Sequence, residues 1–512
     1  IGEYKNDFLR LIEANYRDFF KTRDVETGLK KAFKGDWGSK SYTKKLGVVQ
    51  DLNRLSFNSY ISQIRKTNLP LDASAKVVGP RHLNGSQWGF IDPVDTPDGG
   101  NIGLHKHLSI STHITSSVSG YPLIQWIRSN LPMKLLQECK PKFLGQNTKI
   151  MVNGNWIGVL SDPLESLKTL KMFKRNGLLP VYTSITFDYS KNEIQIYTDG
   201  GRLMRPIYYI DEGTPSYERK DLIEKLNIEK LTWSEIISGI KLRPGTHDKI
   251  NRNNIYTLDD LHGTTTVDFN KIGSMVEYID AAEEDASLIA TYEDQMKTNK
   301  LYTNIEIHPS LLLGVMGNMV IYPEHNPYAR NAFSCGQSRQ AVSMYHTNHQ
   351  LRIDKMGVVL NNGQIPLIKS RYLKYVNQER SPYGVNAIVA IMSYTGYNVE
   401  DAILINEGAV DRGIFRTTYY SMYQSREESS KVSGGTVNSY FADVAKKDVI
   451  GTKKGYDYNY LNEYGLIKEN TQLNDKMIVI GKITTSEDTN TDSSVKPKKG
   501  QLGYVDKSFI TD

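Results

Sequence analysis

The run NAIVAIMSY, Asn386 to Tyr394, is nearly unbroken in apolar side chains and predicts a strand buried on both faces. It leads into YTGYNVEDAILIN, Tyr394 to Asn406, where Glu400 and Asp401 stand between a Gly-Tyr-Asn turn and a second aliphatic run. Two adjacent carboxylates at the mouth of a core admit few chemistries. A glycosidase-like pair needs carboxyl groups on separate elements, roughly 5 to 10 Å apart across a substrate. Neighbours point to opposite faces of a strand or diverge by about 100° around a helix, so at most one faces a given ligand. That geometry disfavours a small-molecule hydrolase working through Glu400. Two readings stay open locally. One is a carboxylate holding a hard cation by one or two oxygens while phosphates and water supply the rest. The other is a solvated turn whose acid caps the backbone before ILIN.

A chain of 512 residues predicts roughly three or four packed units. With 39% hydrophobic and 23% charged residues it is globular rather than disordered, and its 32 tyrosines suit half-buried sheets and wet interfaces. A net charge of +6 is too mild to name a polyanionic partner by itself. Cys139 and Cys335 are far apart, so neither a disulfide framework nor a zinc site is expected from this chain, and a reducing, intracellular compartment is the default. The run PSLLLGVMGNMVIYP, Pro309 to Pro323, is too short and too interrupted to span a bilayer, so no membrane partner is expected and the run reads as core. The chain opens on Ile1 with an amphipathic, charged pattern unlike a secretion signal, which suggests a piece of a longer chain.

Residues 1 to about 24 place Phe8, Leu11, Ile12, Tyr16 and Phe19 or Phe20 on one helical face, as in a docking helix. Leu29 to Lys45 carries six lysines and Gly35 and Gly38 around Trp37, a basic exposed loop. Val48 to Pro70 predicts a second helix, apolar at Leu52, Leu55, Phe57 and Ile61 and closed by Pro70. About 130 to 245 shows short alternating strands. EYIDAAEEDASLIATYED, beginning at Glu277, predicts a solvated acidic helix or turn. In the tail, KMIVIGKITT is the clearest strand and EDTNTDSSVKPKKG a flexible loop. GGNIGL, Gly99 to Leu104, lacks the βαβ setting of a phosphate loop and reads as a tight turn, and His308 reads as packed core rather than a metal ligand.

SPYGVNAIVAIMSYTGYNVEDAILINEGAVDRGIF, Ser381 to Phe415, resembles the signature segment of the second-largest subunit of multisubunit DNA-directed RNA polymerases. QDLNRLSFNSYISQIRKTNLP and PRHLNGSQWGFIDPVDTPDGGNIGL resemble that family's fork, EYIDAAEED its external region, and EIHPSLLLGVMGNMVIYPEHNPYARNAFSCGQSRQAV its hybrid-binding region. YNYLNEYGLIKENTQLNDKMIVIGKITT resembles its wall. The resemblance implies a mixed α+β multidomain fold: 1–24 the end of the protrusion, 25–128 fork, 129–245 and 246–300 two external regions, 301–416 fork return and hybrid-binding region with the active-centre segment, and 417–512 wall or flap.

The same resemblance implies nucleotidyl transfer by two Mg²⁺ ions, one held by the largest subunit and the second arriving with the nucleotide beside Asp401 and Glu400. Arg330 matches the family arginine that reaches the incoming triphosphate, a task suited to a planar guanidinium. Gln340 and Arg339 match positions near the RNA end, although QSRQ replaces the MGKQ of relatives and weakens the match at Arg339. Arg54, Arg65 and Lys66 resemble fork residues that neutralise template and downstream DNA phosphates without reading bases. Implied partners are the largest subunit, assembly subunits, template DNA, nascent RNA in its hybrid and nucleoside triphosphates. Zinc is expected only in a C-terminal part beyond this chain. The rival reading is a non-catalytic nucleic-acid-binding or assembly module that keeps the fold. Abundant Asn, Lys, Ile and Tyr suggest a large DNA virus, hence virion and host cytoplasm, with a nuclear enzyme as the alternative.

Overall fold

A computed structural model describes residues 7–19, 22–37, 48–69, 71–177, 179–219, 223–224, 232–238, 274–376, 379–432, 435–486 and 489–511. Among these the chain is mixed α and β, with short helices and five sheets. It divides into two compact units, one of residues 1–53, 58–340 and 368–377, the other of 54–57, 341–367 and 378–512.

In the first unit the expected β-rich region is present. Its five-stranded sheet runs Met133–Leu135, Asn155–Leu160, Thr148–Val152, Glu193–Tyr197, Ser184–Asp188, with one parallel pairing between Thr148–Val152 and Glu193–Tyr197. Burial alternates along Thr148–Val152, so Ile150 and Val152 face a core closed by the helices Tyr121–Asn130 and Pro163–Arg175 through Leu123, Trp126, Leu170 and Phe173. Asp162 caps the second of these helices by accepting from the Glu165 amide at 3.3 Å, with Pro163 at its first position. A second sheet is organised by the nine-residue strand Leu203–Asp211, which pairs with Val276–Asp280, Asn304–Ile305 and His113–Ile114.

That second sheet overturns the solvated reading of EYIDAAEED. Val276–Asp280 is a fully buried strand, and Glu277, Asp280 and Glu283 are buried charged side chains. Cations reach them from distant segments: Lys174 Nζ lies 2.8 Å from Glu283 Oε2, and Arg175 Nε 2.8 Å from Glu277 Oε2. Arg205 forks onto Glu306 at 2.7 and 2.9 Å and reaches Glu284 at 2.9 Å.

Helix Phe8–Phe19 forms as expected, with Phe8 and Tyr16 exposed. Helix Thr22–Phe33 takes in Leu29–Phe33, which the sequence assigned to the basic loop; Lys30 and Lys31 in its last turn favour the negative end of the helix dipole. The rest of that loop from 38 to 45, Pro70, and the 246–273 part of the second external region lie outside the described residues. The predicted 48–70 helix is only Phe57–Ile64, followed by the strand Lys66–Asn68 paired with His105–His107. Its buried face is polar, Asn58, Ser59 and Ser62, because Asn58 Nδ2 donates to the Ser338 carbonyl at 3.1 Å and Ser59 Oγ to that of Asn53 at 3.2 Å. Leu52 and Leu55 are exposed instead. Pro309–Pro323 is buried at Gly314 and Met316 to Met319, while His308 is an exposed turn cap whose Nδ1 accepts from the Ser310 amide at 3.1 Å.

The second unit holds the antiparallel pair Met356–Leu360 with Thr417–Ser421 and a four-stranded antiparallel sheet, Glu428–Val432, Gly435–Phe441, Lys482–Ser486 and Thr489–Asp492. Leu461, Ile467, Ile478, Val479 and Ile480 form its core. Thr489–Asp492 is therefore a strand where a flexible loop was expected. The largest departure is NAIVAIMSY, which is not a strand: Ile388 and Ile391 are fully exposed, and Ile403 to Ile405 are also outside the core. A buried strand needs a neighbour for its amides and carbonyls. Among the described residues no strand pairs with the run, and Asn386 ties its start to Gln364 and Ile365 at 2.9 Å each.

Candidate nucleic-acid interface

Helix Tyr328–Ser338 follows Pro327, which already has the φ of a helix entry. Asn331 and Cys335, four residues apart, face inward, and Asn331 Nδ2 donates to the Pro323 carbonyl at 2.7 Å. Burial, with Asp95 and Asp92 nearby, pushes the Cys335 thiol up, so it is an inert packing group. Arg330 lies on the exposed side with its guanidinium 5.8 Å from the Phe333 ring centroid, and Gln340 is exposed just beyond the helix. Arg339 is half-buried at the C-cap and pairs through Nη1 with Asp95 Oδ1. The first unit thus brings Arg330, Arg339 and Gln340 onto one short helix and its exit.

The loop Asp92 to Asp95 lies against that helix. Asp95 is 2% exposed. Asp92 accepts from the Val94 amide at 2.9 Å and the Gly314 amide at 2.8 Å, and burial raises its carboxyl to about 6. A Cβ on Gly317 would stand 2.6 Å from Asp92 Oδ2, so that position excludes any side chain. His107 Nδ1 lies 3.0 Å from the Asp95 carbonyl, an acceptor that selects the Nδ1–H tautomer, and desolvation lowers the imidazole below its ordinary value. Sequence reasoning quoted this loop without choosing Asp92, Asp95 or His107. The available signal was two acids three apart inside the apolar setting GFIDPVDTP.

Arg65 turns into the protein, where Nη2 donates to the Ser109 carbonyl at 2.5 Å and desolvation lowers its pKa. Lys66 begins the adjoining strand with an exposed side chain; partial desolvation and then Arg339 lower its ammonium, while Asp95 raises it. Arg81 is a further residue that sequence reasoning missed. Its guanidinium collects the carbonyls of Ala73, Ala75, Gly100 and Ile102 at 2.6 to 3.2 Å, which fixes the expected GGNIGL turn.

In the second unit, Glu400 and Asp401 are the central residues of a turn closed by the Ala402 amide on the Val399 carbonyl at 3.3 Å. Glu400 is left-handed at φ 58°, a conformation rarely taken by a residue with a Cβ. Both carboxylates are exposed. Arg54 is half-buried, and its charge acts on His346 and Asp354.

Three family models match: RNA polymerase Rpb2 domain 3 over residues 50–114, domain 4 over 150–211 and domain 6 over 316–512. The DNA-directed RNA polymerase II subunit 2 of Arabidopsis thaliana is 31% identical over 520 residues, covering 98% of this chain and 41% of the relative. Subunit RPB2 of Schizosaccharomyces pombe is 30% identical, covering 98% and 43%, and the archaeal subunit Rpo2 of Sulfolobus acidocaldarius 29%, covering 91% and 40%. The chain spans about two fifths of the length of these relatives. With Rpb2 domains 3, 4 and 6 matched in order and relatives aligned over nearly its whole length, the chain belongs to the second-largest-subunit family of multisubunit RNA polymerases.

Proposed function

We propose that this chain forms part of the second-largest subunit's side of an RNA polymerase active centre, where DNA-templated nucleotidyl transfer is shared with the largest subunit. The observation that carries this reading is the helix Tyr328–Ser338, which exposes Arg330 on its outer side and leads into an exposed Gln340 while its inner face is locked. Arg330 binds triphosphate oxygens as a planar fork. Gln340 offers an amide to the RNA end, with Arg339 beside it, and Lys66, Arg54 and Arg65 add positive charge along the nucleic-acid path. Partners in this reading are the largest subunit, assembly subunits, template DNA, the nascent RNA hybrid and nucleoside triphosphates. The Asn, Lys, Ile and Tyr content supports a large DNA virus as source, with the enzyme in virion and host cytoplasm.

No group of three or more His, Cys, Asp or Glu side chains converges among the described residues. The donor set at the turn is two exposed carboxylates, which fits a hard cation that takes most of its ligands from phosphate and water. Asp401, with Glu400 second, would hold Mg²⁺ there, where a bound ion would supply charge neutralisation at phosphate oxygens. Zinc belongs, in this reading, to the subunit's C-terminal part beyond the chain.

The test is RNA extension on a preassembled primer and template by the full-length subunit with its partners, across a Mg²⁺ and nucleotide titration. Asp401→Ala is expected to slow extension, with partial recovery at excess Mg²⁺ or nucleotide and unchanged hybrid binding. Unchanged extension kinetics would return the acid to a plain turn role.

A further inference from the structure

The loop Asp92 to Asp95 touches the helix Tyr328–Ser338 at both of its ends. The Tyr328 hydroxyl, on the first helical residue, donates to the Pro93 carbonyl at 3.0 Å. Arg339, just past the last, pairs with Asp95. Between these clasps, Asp92 pins the segment that leads to the helix through the Gly314 amide, and Asn58 takes the Ser338 carbonyl at the helix exit. A helix of 11 residues is about 16 Å long, so contacts at its two ends restrain both its roll and its tilt.

We propose that Asp95 is a positioning residue: by holding Arg339 while Pro93 holds Tyr328, the loop sets the roll of this helix and so presents Arg330 and Gln340 together. The inference rests on the function proposed above for those two residues. In this role Asp95 acts through Arg339 rather than as a ligand of nucleotide or RNA, with His107 Nδ1 at 3.4 Å from the same carboxylate oxygen. Three observations support a positioning role over a general packing role. Asp95 is buried, which makes its pairing with Arg339 a directed contact rather than a solvated one. Among the described residues the groups facing it are Arg339, Lys66, His107, Cys335 and the like-charged Asp92, and the Asp92 carboxylate is itself engaged by backbone amides. The helix has no side-chain cap at its N-terminus, which leaves Tyr328 and Arg339 as its end anchors to this loop. Displacement of a binding group by an ångström is enough to cost on the order of a hundredfold in rate.

The experiment uses the full-length subunit assembled with its partners and measures single-nucleotide addition for Asp95→Asn, Arg339→Gln and the double variant. Each single variant is expected to lower kcat/KM for the nucleotide at least about tenfold. The double variant is expected to be no worse than the poorer single one, because both break one contact. Asp95→Glu should recover part of the loss. Multiplying effects in the double variant, or an unchanged kcat/KM in Asp95→Asn, would overturn the proposal. Hydrogen exchange across residues 328–338 is read in parallel on the full-length subunit. Faster exchange in Asp95→Asn is expected, and unchanged protection overturns the clasp even where the wild-type assembly makes no RNA, a result that by itself would count against the proposed function alone. Should Asp95→Asn fail to assemble, Arg339→Gln, altered at the more exposed end of the pair, carries both readouts with the same outcomes.

Discussion

Two stretches invert what their composition predicts. EYIDAAEED is among the most acidic segments of the chain, yet Glu277 to Asp280 and Glu283 are buried; NAIVAIMSY is among the most apolar and is exposed. The difference lies in partners rather than in hydropathy. Each buried carboxylate of the first stretch has a cation and further donors: Glu283 receives Lys174 at 2.8 and 3.0 Å and the Ile185 amide at 3.1 Å, and Glu277 receives Arg175 at 2.8 and 3.2 Å and Asn304 Nδ2 at 2.9 Å. Glu306, which Arg205 grips with both guanidinium nitrogens, also accepts from Trp88 Nε1 at 3.1 Å. A buried charge is tolerated when its lone pairs are filled in this way. The apolar stretch has no neighbouring strand among the described residues, and Ile388 and Ile391 stand outside the core of this chain.

The comparison breaks hardest at Arg205. Arg205→Ala leaves Glu306, 1% exposed at its side chain, without its bidentate partner, and should cost about 3 to 5 kcal/mol in urea denaturation. A cost below about 1 kcal/mol would mean that the acidic sheet is not held by its ion pairs.

Acid and base should act on this region in opposite windows. Burial, opposed by Arg205, raises Glu284 from 4.5 to about 7. The folded state therefore holds a proton that the unfolded chain has lost, and stability falls as pH rises from about 4.5 to 7. Glu277 runs the other way. Burial pushes its carboxyl up, but Arg175 and neighbouring lysines outweigh this and hold it at about 2, so its contribution is complete above 4.5 and fades as pH drops toward 2. Glu284→Gln is expected to flatten the upper slope and leave the acid limb intact. A denaturation midpoint whose pH profile is the same with and without Glu284 would remove that assignment.

The smallest effect is expected in the other stretch. Ile391→Ser, at a fully exposed site, should change chain stability by no more than about 0.5 kcal/mol. A loss of 2 kcal/mol or more would show that the apolar run is buried after all and would erase the contrast.

Much of the architecture was legible in the residues. Alternation in TKIMV and EIQIY marks strands with one face in the core, and both occur as read. GGNIGL was read as a turn and is one, whereas the helix Pro163–Arg175 was not read in a region assigned to strands. The candidate site was legible only in part. Arg330, Gln340 and Arg339 were singled out because the segment around them resembles a family motif, and Glu400 and Asp401 because they are adjacent and lie in another such motif. Asp95 was not, because its partner Arg339 lies 244 residues away. The buried acids were misread for the same reason, with Glu283 paired across 109 residues and Glu277 across 102.

Local pattern thus determined which segments alternate, which turn and which residue types are offered for phosphate and cation binding, since those properties depend on neighbours within a few positions. Tertiary structure decided which charges are buried, which apolar run stays outside the chain's own core and which arginine is gripped. Burial depends on what the fold brings from elsewhere in the chain, and an ionised group enters a core only where its counter-charge and hydrogen-bond donors arrive with it.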